Sequence, residues 1–450
     1  MSSDPVVTAA SEVIGGPRGR YAAPRVLPWL APAAVLSVLT AASVALSTLL
    51  RVPCLRSGWK GTEQFWHACY SDLPTAFRSS GVGAGITAYL SGGSGSPVTG
   101  QPPLTGLLLT GVASLVPTGL AESTRVKWYF ALWAVLLTVL LLVTVWLVAS
   151  AMRRPYAAAH VALSPIVVLT LFVSADLVGV ALATGAMWAW GRRRLTTAGV
   201  LLGLAMAARS YPVLVLVAIG LLALRAGRLR AFARTAAYAL LVFLAVLAGL
   251  WLVNPEAASS AYVEWASANA GYGSPWLLPQ LAGHPLPAGA VTALAVVGWL
   301  AAVVAGAVLA LSSARRPTVA EVSLVMVAIV LVTGKSFTVQ SSLWLVPLVA
   351  LAALQWRDHL VWATAEAVNF VAVWLAIAAV TVADRGLPNG WYGFLSMVRV
   401  AAVAWLVVVA WLRARGRSPG LARAAEEAPE PDDLAGVLNG APDRLIVRFS

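Results

Sequence analysis

The sequence predicts an all-α polytopic membrane protein, and three features carry that prediction. The 450-residue chain is 60% hydrophobic and only 11% charged, which is more apolar surface than a soluble core of that size can hide. Its apolar residues fall in runs of helix length separated by short polar stretches. Its basic residues come as small clusters between those runs: Arg153-Arg154, Arg192-Arg193-Arg194, Arg225/Arg228/Arg230, Arg315-Arg316 and Arg413/Arg415/Arg417. Clusters so placed are the mark of positive-inside topology. The formal net charge of +13 therefore belongs to membrane orientation, and nucleic acid is set aside as a partner on that ground.

Taken in order, residues 1–27 are polar, with Arg18, Arg20 and Arg25 ahead of the first apolar run at 28–50. No small-residue cleavage signature follows that run, so it reads as a retained signal anchor with a cytoplasmic N-terminal segment. Further apolar segments lie near 103–118, 128–150, 156–173, 175–190, 196–208, 211–224 and 231–253, then near 288–312, 318–333, 341–354, 359–382 and 392–412. A helix needs about 20 residues to cross the hydrocarbon core, so several segments are short, and the whole 28–412 domain is expected to hold about 12 transmembrane helices. Counting from an outer loop at 254–287 places Arg315-Arg316, Arg357 and Arg413 inside, and "GKSFTVQSS" (334–342) and "DRGLPNG" (384–390) outside.

The first half allows two arrangements. If 196–224 is a single span, 103–118 is a full span and Arg192–Arg194 lie outside. If it is a hairpin broken at "RSYP" (209–212), the basic clusters all lie inside and 103–118 is re-entrant. Charge favours the hairpin. Short, interrupted helices are tolerated only where protein buries them or they line a cavity, so this region is where a site is expected. The chain ends in a segment, 413–450, whose "EEAPEPDD" reads as a disordered cytoplasmic tail.

Two polar loops, 51–102 and 254–287, face outside in either arrangement. The first is long and contains Trp59, Trp66, Tyr70 and Tyr89, with "GGSGSP" (92–97) as a flexible turn; its aromatics suit an amphipathic segment at the lipid interface. The second contains "YVEWASANAGYGSPW" (262–276), too aromatic for disorder. Cys54 and Cys69 both lie in the first loop, on the side where disulfides persist, and are expected to be bonded; two free thiols are the alternative. A structural zinc site wants four ligands and only His67 adds a ligand type nearby, so no metal is expected.

Charged residues are rare enough to be weighed one by one. Asp72 in "YSDLPTAF" is either the cap of the helix that follows or a carboxylate poised to take a proton from a hydroxyl. Asp176 in "VSADLVG" is an acid at membrane depth, costly unless it caps or works. Arg209 in "AARSYPVL" and Lys335 in "GKSFTVQSS" either snorkel to headgroups or converge on a phosphate. Gln340 hydrogen-bonds a sugar or caps the 341–354 segment. His67 and Tyr70 flank Asp72 as further substrate-binding candidates. Glu366 in "ATAEAVNF" is placed between helices with Asn369 as its partner, and Glu264, His284 and Asp384 have no specific signal. No Walker loop is present, which argues against an ATP-driven pump. The acids and bases cluster at the outer face instead of forming a relay across the membrane, which counts against a proton-coupled carrier.

In this order the motifs resemble the polyprenyl-phosphate-dependent glycosyltransferases of the C-type membrane fold (GT-C), specifically glycosyltransferase family 87, the actinobacterial mannosyltransferase group. The resemblance covers about 28 to 412 and rests on "YSDL", "QPPLTGLLL", "LSPIVVLTLFVSADLVGVAL", "GVLLGLAMAARSYPVLVL" and "GKSFTVQSSLWLVPL". Two departures stand out: the family's lysine before Tyr-Pro is Arg209-Ser210 here, and the polar residue before Asp176 is Ser174-Ala175. The resemblance implies a sugar, most simply mannose, carried on polyprenyl phosphate and transferred with inversion to an envelope glycolipid or glycan at the outer face of the plasma membrane. Asp72 would be the general base, Lys335 and Arg209 would hold the donor phosphate, and no cofactor is implied. A transporter or flippase of a lipid-linked glycan is the second function class; it should show paired broken helices in both halves, whereas the interruptions gather in the first. A catalytically silent partner in envelope assembly is the third, and it would tolerate joint loss of Asp72 and Lys335.

Overall fold

The computed structural model describes residues 4–15, 30–93, 96–97, 99–382, 385–416 and 432–447, and among them the regular structure is helical, with no strand. Asp384 lies outside the described residues. An N-terminal helix, α1 (Pro5–Gly15), precedes the long α2 (Leu30–Ser57). Short helices follow in and just after the first loop, among them α3 (Asp72–Ser79) and α4 (Pro103–Ala113), and then the long α5 (Glu122–Ala151). The next stretch is broken into α6 (Pro165–Thr170), α7 (Asp176–Gly191), α8 (Leu195–Ala208) and α9 (Pro212–Arg225). The order continues through α10 (Leu229–Val253), α11 (Pro255–Ser267), α12 (Ala288–Ser312), α13 (Val319–Thr333) and α14 (Val346–Leu351), and closes with α15 (Trp356–Thr381) and α16 (Asn389–Ala414). Six of these, α2, α5, α10, α12, α15 and α16, are long and apolar enough to cross a membrane. The chain is a multi-pass membrane protein.

The two ends of the bundle differ chemically, and that settles the first half. At one end Arg193 donates to the Gly436 carbonyl (3.2 Å) and Arg225 to Asp443 (2.7 Å), so the start of α8 and the end of α9 meet one docked segment. The 196–224 stretch is therefore the hairpin. It breaks at Arg209, whose backbone is extended (φ −151°, ψ 156°), ahead of Pro212 at the first position of α9. Proline has no N–H to give a continuing helix and is suited to the first position of a new one. α4 stays at the far end, its Thr105 hydroxyl donating to the Ala208 carbonyl (2.8 Å) at the hairpin tip. The hairpin packs close to α10: a Cβ on Gly199 or Gly203 would meet the Thr235 or Ala239 carbonyl oxygen at 2.5 Å, an approach open only to residues this small.

Three expectations are corrected. Trp59 and Tyr89 are buried inside the protein instead of lying at a lipid interface; the loop closes on itself, and the Trp59 indole donates to the Cys69 carbonyl (3.3 Å). Aromatic side chains with exposed surface are found on α11 instead, at Tyr262 and Trp265. Within the tail, residues 432–447 are docked. Leu434 and Leu438 join the core, Arg444 N donates to the Arg225 carbonyl (2.7 Å), and Val447 N donates to the Leu311 carbonyl (3.0 Å). The cause is charge: Asp433 pairs with Arg153 (3.0 Å), and Asp443 with Arg225 (2.7 Å) and Arg316 (2.5 Å). Glu366, lastly, pairs with Arg399 of α16 (2.8 Å), not with Asn369.

Candidate active site

Asp72 is placed by backbone contacts that start from α2. Cys54 at its end is disulfide-bonded to Cys69 (Cα–Cα 5.7 Å). Arg51, buried on the same helix, donates to the Ala68 carbonyl (3.1 Å) and the Leu169 carbonyl (2.7 Å). The next residues are stitched to the stretch ahead of α7: the Ser71 hydroxyl donates to the Phe172 carbonyl (2.7 Å) and Asp72 N to the Val173 carbonyl (2.7 Å). Ser71 also caps α3, its hydroxyl accepting from Leu73 N (3.3 Å). The capping reading of Asp72 is thereby excluded. Its carboxylate sits in the first turn of α3, where the helix dipole favours negative charge, and faces a cavity.

That cavity, about 800 Å³, opens at the end of the bundle away from the docked tail and gathers Tyr70, Asp72, Asp176, Arg209, Lys335 and Gln340 on its walls. His67 is the exception among the candidates: it is exposed, not on the lining, and its Nε2 lies 3.4 Å from Glu63. Tyr70 reaches the wall from an aromatic group, its ring 5.5 Å from Phe65 and 5.0 Å from Trp374.

Asp176 and Arg209 form a buried ion pair across the tips of α7 and the α8–α9 hairpin. Arg209 Nε and Nη2 both donate to Asp176 Oδ1, the former at 2.9 Å. The carboxylate is completed by the Ser174 hydroxyl (3.0 Å) and the Trp344 indole (2.7 Å). Arg209 Nη1 donates to Gln101 Oε1 (3.1 Å), Thr105 Oγ1 (3.2 Å) and the Ala208 carbonyl (3.0 Å). Pairing and hydrogen bonding at both partners offset the cost of burying two charges. Gln101 and Trp344 lie in "QPPLTGLLL" and "GKSFTVQSSLWLVPL" but carry no charge to mark them; only their contact with this pair does.

Lys335 is on the cavity wall, but its ammonium donates to three carbonyls at the end of α11: Trp265 (2.5 Å), Ala266 (3.0 Å) and Ala268 (3.0 Å). Three donors are all a lysine has. Gln340, from the helical turn Val339–Trp344, donates through Nε2 to Asp72 Oδ2 (3.1 Å). Burial pushes the Asp72 carboxyl up to about 6. The Tyr70 hydroxyl pulls it down, the Asp176 charge adds to the rise, and Arg209 and Arg51 oppose it. Such a group changes charge near neutrality, as a proton acceptor should.

No family model matches the chain, and no curated protein sequence matches it. Among solved structures the chain is similar to ArnT from Cupriavidus metallidurans, in its crystal structure bound to undecaprenyl phosphate and in its apo state. Identity is 16% and the TM-score 0.38 in both, over 77% of this chain and 76% and 73% of theirs. At that score no residue role passes from those structures to this chain.

Proposed function

We propose that this chain is a GT-C-type glycosyltransferase that moves a sugar from a polyprenyl-phosphate donor to a hydroxyl of an envelope glycolipid or glycan. Mannose is the sugar that the resemblance to glycosyltransferase family 87 favours. The reaction would take place at the extracytoplasmic face of the plasma membrane. The observation that carries the reading is a carboxylate freed from capping, Asp72, with its pKa raised to about 6, facing a cavity it shares with an oriented guanidinium.

In this reading Asp72 accepts the proton of the acceptor hydroxyl as its oxygen attacks the anomeric carbon. The bond from that carbon to the phosphate oxygen breaks, and the configuration inverts. Negative charge gathers on the departing polyprenyl phosphate, and Arg209, held in register by Asp176, faces it. Lys335, with its protons committed to α11, contributes a positive field at the wall in place of a direct hydrogen bond. Gln340 steadies Asp72.

The test is Asp72→Asn in purified protein reconstituted with polyprenyl-phosphate-mannose and a membrane glycolipid extract. Transfer of labelled sugar is expected to fall by about 10²-fold or more, the range for losing a general base, while donor binding is retained. Unchanged transfer would remove Asp72 from the chemistry. Absence of transfer by the unsubstituted protein with several polyprenyl-phosphate sugars would sink the enzyme reading and favour transport of a lipid-linked glycan.

A further inference from the structure

Arg399 lies in the middle of α16, fully buried, and no step above uses it. Its guanidinium is nevertheless engaged on every side. Nε donates to Glu366 Oε2 on α15 (2.8 Å), whose other oxygen takes the Trp362 indole N–H (2.9 Å). One terminal nitrogen donates to the Phe337 carbonyl. The other donates to the Thr338 carbonyl (3.0 Å) and the Ser342 hydroxyl (2.8 Å). The guanidinium carbon lies 3.4 Å from the Phe337 ring centroid.

A second element holds the same segment from its other edge. Gly271 N donates to the Lys335 carbonyl (2.7 Å), Phe337 N to the Tyr272 carbonyl (3.1 Å), and Gly273 N to the Tyr392 hydroxyl (2.8 Å). Gly273 has φ +79°, and a Cβ there would meet the Phe337 carbonyl oxygen at 2.1 Å and Arg399 Nη1 at 2.8 Å. No larger residue fits between the loop and the guanidinium.

Apolar side chains would join α15 to α16 without the cost of burying an ion pair at membrane depth. What the guanidinium adds is a rigid fork that reaches backbone carbonyls at a fixed angle. The carbonyls it reaches belong to the segment that carries Lys335 and Gln340 to the cavity wall. We infer that Arg399 is a positioning residue: backed by Glu366, it fixes residues 337–342 so that the Gln340 amide meets the Asp72 carboxylate.

The kinetic arm of the test rests on the glycosyltransferase reading; the structural arm does not. In Arg399→Lys the charge stays but the fork is lost. Transfer is expected to keep its donor KM within about twofold while the acid limb of its pH profile moves to higher pH, because a displaced Gln340 no longer donates to the ionised Asp72. In the structural arm, Asp72→Cys and Gln340→Cys are combined in one chain, where Cys54 and Cys69 remain bonded to each other, and a short bis-thiol reagent reads the 72–340 contact. Adding Arg399→Lys is expected to slow that cross-link by about fivefold or more, since loosened segments lose geometry before they lose their fold.

A folded Arg399→Lys protein that cross-links at the parent rate overturns the inference, as does an unchanged pH profile of transfer. Should Arg399→Lys fail to fold, Glu366→Gln replaces it, keeping the shape and the indole acceptor and removing the backing charge; cross-linking at the parent rate then overturns the inference and slowed cross-linking supports it. Slowed cross-linking in a protein whose parent transfers no sugar would uphold the positioning role and reject the glycosyltransferase reading.

Discussion

Asp72 stands under opposed influences: burial raises its pKa to about 6, while Tyr70, Arg209 and Arg51 pull it down. A base must be ionised to act, so the rate of transfer is expected to fall about tenfold per pH unit below that value and to level off above it. Gln340 donates to the charged form (3.1 Å) and so favours it. Gln340→Ala should therefore move this acid limb to higher pH, and a pH profile of kcat/KM on both proteins checks the sign. Asp176→Ala is expected to act on stability first. It leaves the Arg209 guanidinium buried without its partner, a loss of about 3–5 kcal/mol, measured as a drop in the unfolding midpoint of the purified protein. Residues such as Asp72, Asp176 and Arg209 are legible in the sequence because a charge inside an apolar chain has few cheap explanations. Arg399 is not, because a single cation in a long apolar run announces neither its partner nor its acceptors. Glu366 shows why: spacing along one helix pointed to Asn369, whereas its partner comes from the neighbouring helix. Lys335 was visible too, but the carbonyls that absorb its protons lie about 70 residues away on α11 and carry no side-chain signature.

At the scale of elements, the site depends on short pieces held by cross-links. The Cys54–Cys69 bond closes a 15-residue separation, for which chain entropy gives about 3 kcal/mol. Paired replacement of both cysteines by serine should lower the unfolding midpoint and open residues 55–68 to protease, because Trp59 and Arg78 are anchored to the same loop: the Trp59 indole on the Cys69 carbonyl (3.3 Å) and Arg78 on the Gly58 carbonyl (2.6 Å). Uncut protein with an unchanged midpoint would show that the hydrogen bonds suffice alone. The broken hairpin was legible from two independent signals, the basic clusters and the proline after Tyr211, and its close seat on α10 follows from Gly199 and Gly203. The direction of the loop aromatics was not legible. A tryptophan contributes the same apolar area whether it turns to lipid or to protein, and only the disulfide-closed loop decides that Trp59 turns inward.

For the whole molecule, the docked segment 432–447 joins distant parts of the chain, and its sequence gives the opposite impression. Acids and prolines near "EEAPEPDD" have the composition of a solvated tail; what reverses it is the set of arginines at one end of the bundle, Arg153, Arg225 and Arg316, whose convergence exists only after folding. Its acids divide into two kinds. Burial works against Asp443, but Arg225 and Arg316 together hold its carboxyl below the ordinary value. Burial instead raises Asp432 from 3.8 to about 7; the Leu434 N–H opposes this, the charges of Glu321 and Asp433 add to it, and Arg315 counters. The docked state thus holds a proton on Asp432 that a released tail would give up. By linkage, docking is favoured by this group at low pH, loses that contribution as pH climbs from about 4 through 7, and is constant above. The amides of Arg444 and Val447, which donate to the Arg225 and Leu311 carbonyls, report on docking directly. Their protection from hydrogen exchange, corrected for intrinsic rate, should decline between pH 5 and 8 by roughly an order of magnitude or more. Asp432→Asn should remove that decline. Asp443→Ala should lower protection at every pH, because it strands Arg225, which is fully buried, without its carboxylate. Protection that ignores both substitutions would mean that Leu434 and Leu438 alone hold the segment in place.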